Sequence, residues 1–246
     1  MLAPRFAGTS GMFTTMPSST EFNTYAWLAK TPGMHEWLGP RMVEGVKERA
    51  YTIYNKHYEK TFGVNIDRLN DGQIADASFM MNELADAAAT LADDLLLDLV
   101  ENGQTRLCYD GQYFYDTDHP TDLDGTGSQR NYYASGLSFD ATNLKAAIAT
   151  MEQFKGENER PLGIGQNGLA LLLPSGLWGS AMDAVEAKTV STGGENTLVT
   201  KYGITPIKWT RLTSSTRWFL FDLRSSGPGP FIRQVRQAAK YTTKTS

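Results

Sequence analysis

The segment Asp71–Asn102, DGQIADASFMMNELADAAATLADDLLLDLVEN, has the longest unbroken periodicity in the chain and predicts a long amphipathic helix. Its apolar side chains recur at steps of three and four, as on one face of a helix: Ala77, Met81, Leu84, Ala88, Leu91, Leu95 and Leu99. We expect this face to be buried, and we expect Asn102 and Gly103 to end the helix in a left-handed turn. Such a helix is roughly 46 Å long at about 1.5 Å per residue, which is long enough to be the spine of the fold.

Composition indicates a globular protein. The chain has 246 residues, of which 41% are apolar and 20% are charged, so it can form one large domain or two small ones. No window has the roughly 18 uninterrupted apolar residues of a membrane span. The first twenty residues lack the apolar stretch of a signal peptide and are predicted to be a flexible arm, so we expect the chain to stay in the cytoplasm.

The single cysteine limits the redox and metal chemistry that is possible. Cys108 cannot form a disulfide within the chain, and no site with several cysteine ligands can exist. Its neighbours Leu107 and Tyr109 predict a buried thiol rather than a nucleophile.

Charge is distributed unevenly, although the net charge is only −4. Between Glu59 and Asp124 there are fifteen acidic and three basic residues, whereas from Lys201 onward there are nine basic residues and one acidic residue. These opposite charges could pair within a subunit or between subunits, or place the basic end near nucleic acid.

Shorter elements are predicted on either side of the helix. Arg41–Leu69 has a partial strand pattern and predicts a two-stranded projection with its tip near Lys47–Ala50. Further on, the patterns predict a helix capped by Asp140, a buried strand, a second helix and two more strands: FDATNLKAAIATMEQFKG (139–156), LALLLP (169–174), GLWGSAMDAVEAK (176–188), IKWTRL (207–212) and RWFLFDLR (217–224). In the last of these strands the side chains are predicted to alternate between two faces, with Trp218, Leu220 and Asp222 on one and Phe219, Phe221 and Leu223 on the other.

Two loops carry weak signals for ligand binding. Gly163, Gly165 and Gly168 match a dinucleotide-binding pattern, but a strand follows them where the mechanism requires a helix. The run Asp116–Asp124 suggests calcium binding, but its spacing puts Pro120 at a ligand position. His119 lies among these acids, and a turn histidine is the simpler interpretation.

One block of aromatic and acidic residues is more distinctive. This block directly follows the long helix: TRLCYDGQYFYDTDHP (105–120). Three other blocks accompany it, one just before the helix, one further upstream and one downstream: YTIYNKHYEKTFGVNIDRL (51–69), YAWLAKTPGMHEWLGPR (25–41) and WFLFDLRSSGPGPFIRQ (218–234). In this order the blocks resemble the Mu-like prophage major head subunit family, whose members build phage capsids. The resemblance covers most of the chain, and LCYDGQYFYDTDHP (107–120) is its most specific part.

The resemblance implies an α+β fold, the tailed-phage major capsid (Johnson-type) fold. It implies an N-terminal arm at residues 1–39, an extended β-hairpin loop at 40–67, a peripheral domain with the spine helix at 68–138 and 214–246, and an axial domain at 139–213. Against the family pattern the arm is short, and the chain stops soon after PFIRQVRQ (230–237), where further strand-forming residues are expected.

The implied function is a major capsid protein that self-assembles, as hexamers and pentamers, into the icosahedral shell around phage or prophage DNA. Its location is then the virion capsid, assembled in the cytoplasm of the bacterial host. The implied partners are scaffold, protease, portal and decoration proteins, with packaged double-stranded DNA contacted non-specifically and no membrane.

No enzymatic activity, cofactor or metal is expected. The predicted sites are intersubunit anchors, because their segments cannot bury them alone: Trp27, Trp37, Tyr51, Tyr54 and Tyr58. Two alternatives are open: a soluble enzyme or small-ligand or metal-binding protein using the Gly163–Gly168 or Asp116–Asp124 loop, and a head-accessory or encapsulating shell protein of the same fold.

Overall fold

A computed structural model describes residues 12–25, 50–63, 67, 71, 74–121, 127–156, 161–165, 168–185, 198, 202–223 and 229–242. Helices and strands are mixed along the chain, as the sequence predicts. None of the helices in the described part is long and apolar enough to cross a bilayer.

The long helix, α1, runs from Ile74 to Glu101. Its predicted start and end are therefore correct to within three residues, but the predicted ending is wrong, because Gly103 does not have a positive φ. A Cβ at Gly103 would lie 2.5 Å from Cδ2 of Tyr115. Glycine is required there because an aromatic ring packs directly against the backbone.

The buried face of α1 also differs from the prediction. Asp93, Leu96 and Val100 are buried, whereas Leu95 and Leu99 are exposed. Residues 93, 96 and 100 are three and four apart and share a face. Since the helix ends in LLLDLV, apolar side chains point in several directions, and tertiary packing decides which of them are covered.

The centre of the fold is a three-stranded sheet of β4 (Leu169–Leu173), β5 (Ile204–Lys208) and β6 (Phe219–Asp222). Its order is β5-β4-β6, with β4 parallel to β5 and antiparallel to β6. All five residues of β4 are buried, as expected for a central strand covered on both faces.

Two helices cover one face of this sheet and α1 covers the other. Leu169, Leu171 and Leu173 pack in one core cluster with α2 (Ala141–Glu152) and α3 (Trp178–Val185), whereas Ala170 and Leu172 pack in a second cluster with the end of α1. A short 3₁₀ turn, Ser175–Leu177, precedes α3. The alternating contacts follow from the two-residue period of a strand.

Several local predictions are confirmed. Asp140 is the N-cap of α2, and its side chain accepts a 2.8 Å hydrogen bond from the amide of Asn143. In β6 the alternation is also as predicted, with Leu220 in the cluster of α2 and α3 and Phe221 in the cluster of α1. Strand β5 differs: it ends at Lys208, and Trp209 folds into the core beyond it.

Two further strand pairs involve the start of the chain. β1 (Phe13–Pro17) pairs in parallel with β7 (Phe231–Val235), and β2 (Phe22–Tyr25) pairs antiparallel with β3 (Tyr51–Tyr54). The prediction of a wholly flexible arm is therefore wrong for residues 13–17. Five residues ending in proline are a weak strand signal alone, and only the distant β7 makes them a strand.

The predicted hairpin at 40–67 is only partly described. The described partner of β3 is β2, which precedes the predicted hairpin, and the predicted tip at 47–50 lies outside the described residues except for Ala50. The division into arm, extended loop, peripheral domain and axial domain stays a prediction. In that division β4 belongs to the axial domain and β6 to the peripheral domain, so the backbone hydrogen bonds between these strands link the two.

An aromatic cluster fastens the loop after α1 to the sheets. Phe114 packs 5.1 Å from Phe231, and Tyr115 packs 5.6 Å from Phe219, measured between ring centroids. Phe221 lies 5.6 Å from Phe231 in an edge-on arrangement. Aromatic pairs of this kind add about 0.5–1.5 kcal/mol each beyond the area they bury, so the loop is part of the core.

Candidate functional site

An exposed aromatic surface of the described chain lies on the strand pair β2 and β3, called here the ribbon. Phe22 and Tyr54 are directly opposite each other across it, with ring centroids 5.5 Å apart. Their exposed fractions are 46% and 63%, and Tyr58, just beyond β3, is 52% exposed. Exposed apolar patches of this kind commonly mark surfaces that contact another molecule.

The ribbon contains two of the five predicted anchors, Tyr51 and Tyr54, and a third, Tyr58, follows β3. Tyr54 and Tyr58 are exposed, whereas Tyr51 is half-buried. Trp27 and Trp37 lie outside the described residues. The sequence analysis missed Phe22. In the segment FNTY (22–25) the first and third side chains share one face of a strand and the second and fourth share the other, which was a signal for a two-faced strand.

Tyr51 turns toward the body of the molecule instead. Its hydroxyl donates a hydrogen bond to the carbonyl oxygen of Leu107 at a distance of 3.5 Å. Burial, together with the Cys108 sulfur, raises its pKa above the ordinary tyrosine value. Tyr51 therefore joins the ribbon to the loop after α1, and its role as an intersubunit anchor stays a prediction.

A second exposed apolar surface is at the start of α1. Phe79, Met80 and Met81 are exposed, with 66% of Phe79 accessible, and Glu83 and Asp86 beside them are exposed acids. The first residue of α1 that belongs to a core cluster is Leu96, so this earlier part of the helix lies outside the core clusters. It combines apolar and acidic character on one projecting element.

The acidic and aromatic loop contains a buried ion pair. His119 Nδ1 and Asp110 Oδ2 are 2.6 Å apart, and their side chains are only 12% and 8% exposed. Burial lowers the pKa of His119, but the hydrogen bond and charge of Asp110, together with hydrogen bonds involving Asn131 and Phe114, outweigh burial, so the net shift is upward. Burial raises the pKa of Asp110, but the hydrogen bond from His119 and the other bonds it accepts outweigh this effect.

The other polar groups of this loop have structural roles. Asp116 accepts from the amides of Thr117 at 2.7 Å and Tyr113 at 3.3 Å, and so stabilises a turn. Cys108 is half-buried, and burial together with Asp110 raises its pKa to about 11. A thiol with that pKa remains protonated at neutral pH and is a poor nucleophile.

The calcium alternative has no described geometry to support it. Residues 122–124 of the Asp116–Asp124 run lie outside the described residues. Within the described part of the chain, no three His, Cys, Asp or Glu side chains are grouped so that they could hold a metal ion.

The glycines of the Gly163–Gly168 loop have a structural explanation. Gly163, Gly165 and Gly168 all have positive φ, and a Cβ at Gly168 would lie 3.3 Å from the carbonyl oxygen of Gly203. The amide of Gly165 donates to Asp222 Oδ1 at 3.1 Å. The glycines thus allow a tight approach to the sheet, and they are not followed by a helix that could bind phosphate.

One large cleft lies between the loop at 129–138, the end of α2 and β6, with a volume of about 1130 Å³. Three carboxylates line it: Glu101, Asp110 and Asp222. Each has a structural partner: Glu101 accepts from the amide of Thr213 at 2.6 Å, Asp110 pairs with His119, and Asp222 accepts from Gly165. Each carboxylate that lines the cleft within the described residues is therefore engaged in a contact that stabilises the fold.

Comparison with known proteins connects this geometry to a family. The model of the Mu-like prophage major head subunit gpT matches residues 8–135 and 130–210. The chain belongs to the Mu-like prophage major head subunit family. The match includes the ribbon, α1, the acidic and aromatic loop and the strand β4.

Two curated relatives are similar over part of their length. The major capsid protein of Escherichia phage Mu is 40% identical over 116 residues, which are 46% of this chain and 38% of that protein. The FluMu major head subunit of Haemophilus influenzae Rd is 38% identical over 140 residues, 55% of this chain and 44% of that protein. The chain thus spans about two fifths of the curated relatives it matches.

Solved structures share the fold over more of the chain. The capsid of bacteriophage JBD30 matches with a TM-score of 0.70 at 22% identity, covering 86% of this chain and 93% of that one. A JBD30 capsid decorated with minor capsid protein trimers matches with a TM-score of 0.62 at 24% identity, over 81% and 88% of the two chains. The fold of this chain is therefore a phage capsid fold, as the resemblance implied.

Proposed function

We propose that this chain is a major capsid protein whose copies close an icosahedral shell around phage or prophage DNA. The observation that carries the proposal is the family match over residues 8–210, supported by the capsid fold shared with JBD30. The role named for the family is structural, and no described geometry favours the enzyme or ligand-binding alternative. The shell would form in the host cytoplasm and become the virion capsid.

The exposed ribbon is the contact we assign to assembly. Phe22 and Tyr54 on the strand pair, and Tyr58 just beyond it, present aromatic rings on a part of the chain that has little core of its own. Aromatic residues at the centre of an interface commonly contribute about 2 kcal/mol or more each. Trp27 and Trp37 remain proposed anchors on the sequence argument.

Further partners follow from the family and from charge. Hexamers and pentamers of this chain are the proposed building units, and scaffold, protease, portal and decoration proteins are the proposed accessory partners. Near the end of the chain Arg236 and Lys240 are exposed, and they would contact packaged double-stranded DNA through its phosphates, without reading bases.

The test is to purify the full chain and measure its size by gel filtration and negative-stain imaging, alone and with co-expressed scaffold. Capsomers or closed shells tens of nanometres across are the expected result. A monomer or dimer in both preparations would contradict the proposal.

The ribbon contact has its own matched variants. Tyr54→Ala should abolish shells, because weakening a contact by about 2 kcal/mol lowers each association roughly thirtyfold and a shell repeats that contact many times. Tyr241→Ala is the control, since Tyr241 is similarly exposed but lies off the ribbon. Equal assembly of both variants would exclude Tyr54 as an anchor.

A further inference from the structure

The ribbon is attached to the body of the molecule by polar contacts at its base. β2 and β3 form a sheet separate from the β1–β7 pair, so within the described residues no backbone ladder connects the two. Instead, side chains connect them: Asn23 Nδ2 of β2 donates to the Pro17 carbonyl of β1 at 3.3 Å, and Gln234 of β7 contacts both strands of the ribbon. Gln234 accepts a 2.8 Å hydrogen bond from the Tyr25 hydroxyl through Oε1.

The amide nitrogen of the same side chain reaches the other strand. Gln234 Nε2 donates to the carbonyl of Ile53 at 3.2 Å and to Oδ1 of Asn55 at 2.9 Å. Gln234 therefore contacts both strands of the ribbon, with both ends of its amide used. Hydrogen bonds are directional, so three of them fix an orientation more tightly than apolar packing of the same size.

Asn55 extends this network to the turn that enters the ribbon. Its Nδ2 donates to Ser18 Oγ at 2.8 Å and to the Thr20 carbonyl at 2.7 Å, and its backbone amide donates to the Glu21 carbonyl at 2.9 Å. The amide of Ser18 in turn donates to the carbonyl of Val235, next to Gln234, at 3.0 Å. The base of the ribbon is thus one continuous polar network that meets β7 at residues 234 and 235.

We propose that Gln234 is a positioning residue that sets the angle of the ribbon on the β1–β7 pair. It thereby sets where Phe22 and Tyr54 meet a second copy of the chain. The consequence for assembly rests on the proposed capsid function, whereas the joint itself does not.

Amide hydrogen exchange on the unassembled full chain tests the joint directly. Gln234→Leu has a similar volume and removes all three hydrogen bonds. We expect exchange in β2 and β3 to become roughly a hundredfold faster, with exchange in β4 unchanged, because three hydrogen bonds are lost and each contributes about fivefold, on the order of 1 kcal/mol. Gln153→Leu, an exposed glutamine at the end of α2, is the control and should change neither. Unchanged exchange in the ribbon of Gln234→Leu would overturn the proposal.

A milder variant separates a local joint from general damage. Tyr25→Phe removes the bond to Oε1 and leaves both bonds from Nε2 in place, and it should accelerate exchange in the ribbon about threefold or more. Added to Gln234→Leu, it should have no further effect, because its hydrogen-bond partner is already gone. If the effects of the two substitutions multiply in the double variant, the two side chains do not act through one shared hydrogen bond. If exchange in β4 becomes faster in both single variants, the damage to the fold is general. Either result would overturn the proposal.

The link to assembly is measured separately on the same variants. If wild-type chain forms shells, Gln234→Leu should form irregular particles or none, and normal shells from a chain with a loosened ribbon would refute the positioning role. If wild-type chain forms no shells, the capsid proposal fails, whereas the exchange data still decide whether Gln234 holds the ribbon.

Discussion

The central sheet and the ribbon are both built from short strands, but they are stabilised in opposite ways. All five residues of β4 are buried, whereas of the eight residues in β2 and β3 only Tyr25 is buried. The sheet is covered by helices on both faces, and the ribbon is held at its base by hydrogen bonds. An isolated two-stranded ribbon is only marginally stable in water. The difference is what we expect if the sheet serves the fold of one subunit and the ribbon is the proposed contact with another.

The largest expected effect on stability comes from the sheet. Leu171→Ala should lower the free energy of unfolding by about 2–5 kcal/mol, because Leu171 is fully buried between β4 and the helices. Urea denaturation followed by circular dichroism measures this loss. Leu107→Ala is the control at an exposed leucine and should change stability by less than about 0.5 kcal/mol. Similar losses in both variants would mean that the sheet is not the centre of stability.

The next effect concerns the end of α1. Gly103→Ala should cost about 1–3 kcal/mol, since the added Cβ would lie 2.5 Å from the ring of Tyr115 and the ring must move. Gly63→Ala is the control, because a Cβ there meets nothing within 4 Å. A thermal melt that is the same for both variants would contradict the close packing of the loop on the helix end.

A smaller, pH-dependent effect is expected from His119 and Asp110. The raised pKa of His119 stabilises the fold below pH 6.5, and this contribution is lost as the pH rises through the raised value. The lowered pKa of Asp110 stabilises the fold above pH 3.8, and that contribution is lost as the pH falls through the lowered value. The stability difference between wild type and His119→Gln should therefore be largest between about pH 3.8 and 6.5.

The control for this pH profile is His57→Gln, at an exposed histidine beyond β3. Thermal unfolding of the three proteins from pH 4 to 9 gives the comparison. If the His119→Gln difference is flat across this range, the ion pair does not contribute to stability.

The sequence predicted the features that depend on local periodicity and capping. The extent of α1, the Asp140 cap of α2, the buried strand β4 and the alternation of β6 all follow from spacing within a few residues. The family resemblance added the overall fold, which spacing alone could not predict.

Features that depend on distant segments were missed. Strand β1 exists because β7, more than two hundred residues away, pairs with it. The buried face of α1 is chosen by Ala170 and Leu172 of the sheet, not by the helix, whose sequence is apolar on several sides. Phe22 was not predicted as a contact residue, because its place beside Tyr54 depends on the pairing of β2 with β3, which the sequence did not reveal.

The smallest expected effect on stability is at the ribbon, and it is the sharpest test of the comparison. In the unassembled chain Tyr54→Ala should cost no more than about 1 kcal/mol, because the ring is largely exposed and loses mainly its cross-strand pair with Phe22. Tyr51→Ala, the half-buried neighbour on the same strand, should cost more. Urea denaturation of both variants measures the difference. If Tyr54→Ala is as destabilising as Tyr51→Ala, the exposed ring serves the fold of the subunit, and the division between a folding sheet and a contacting ribbon is wrong.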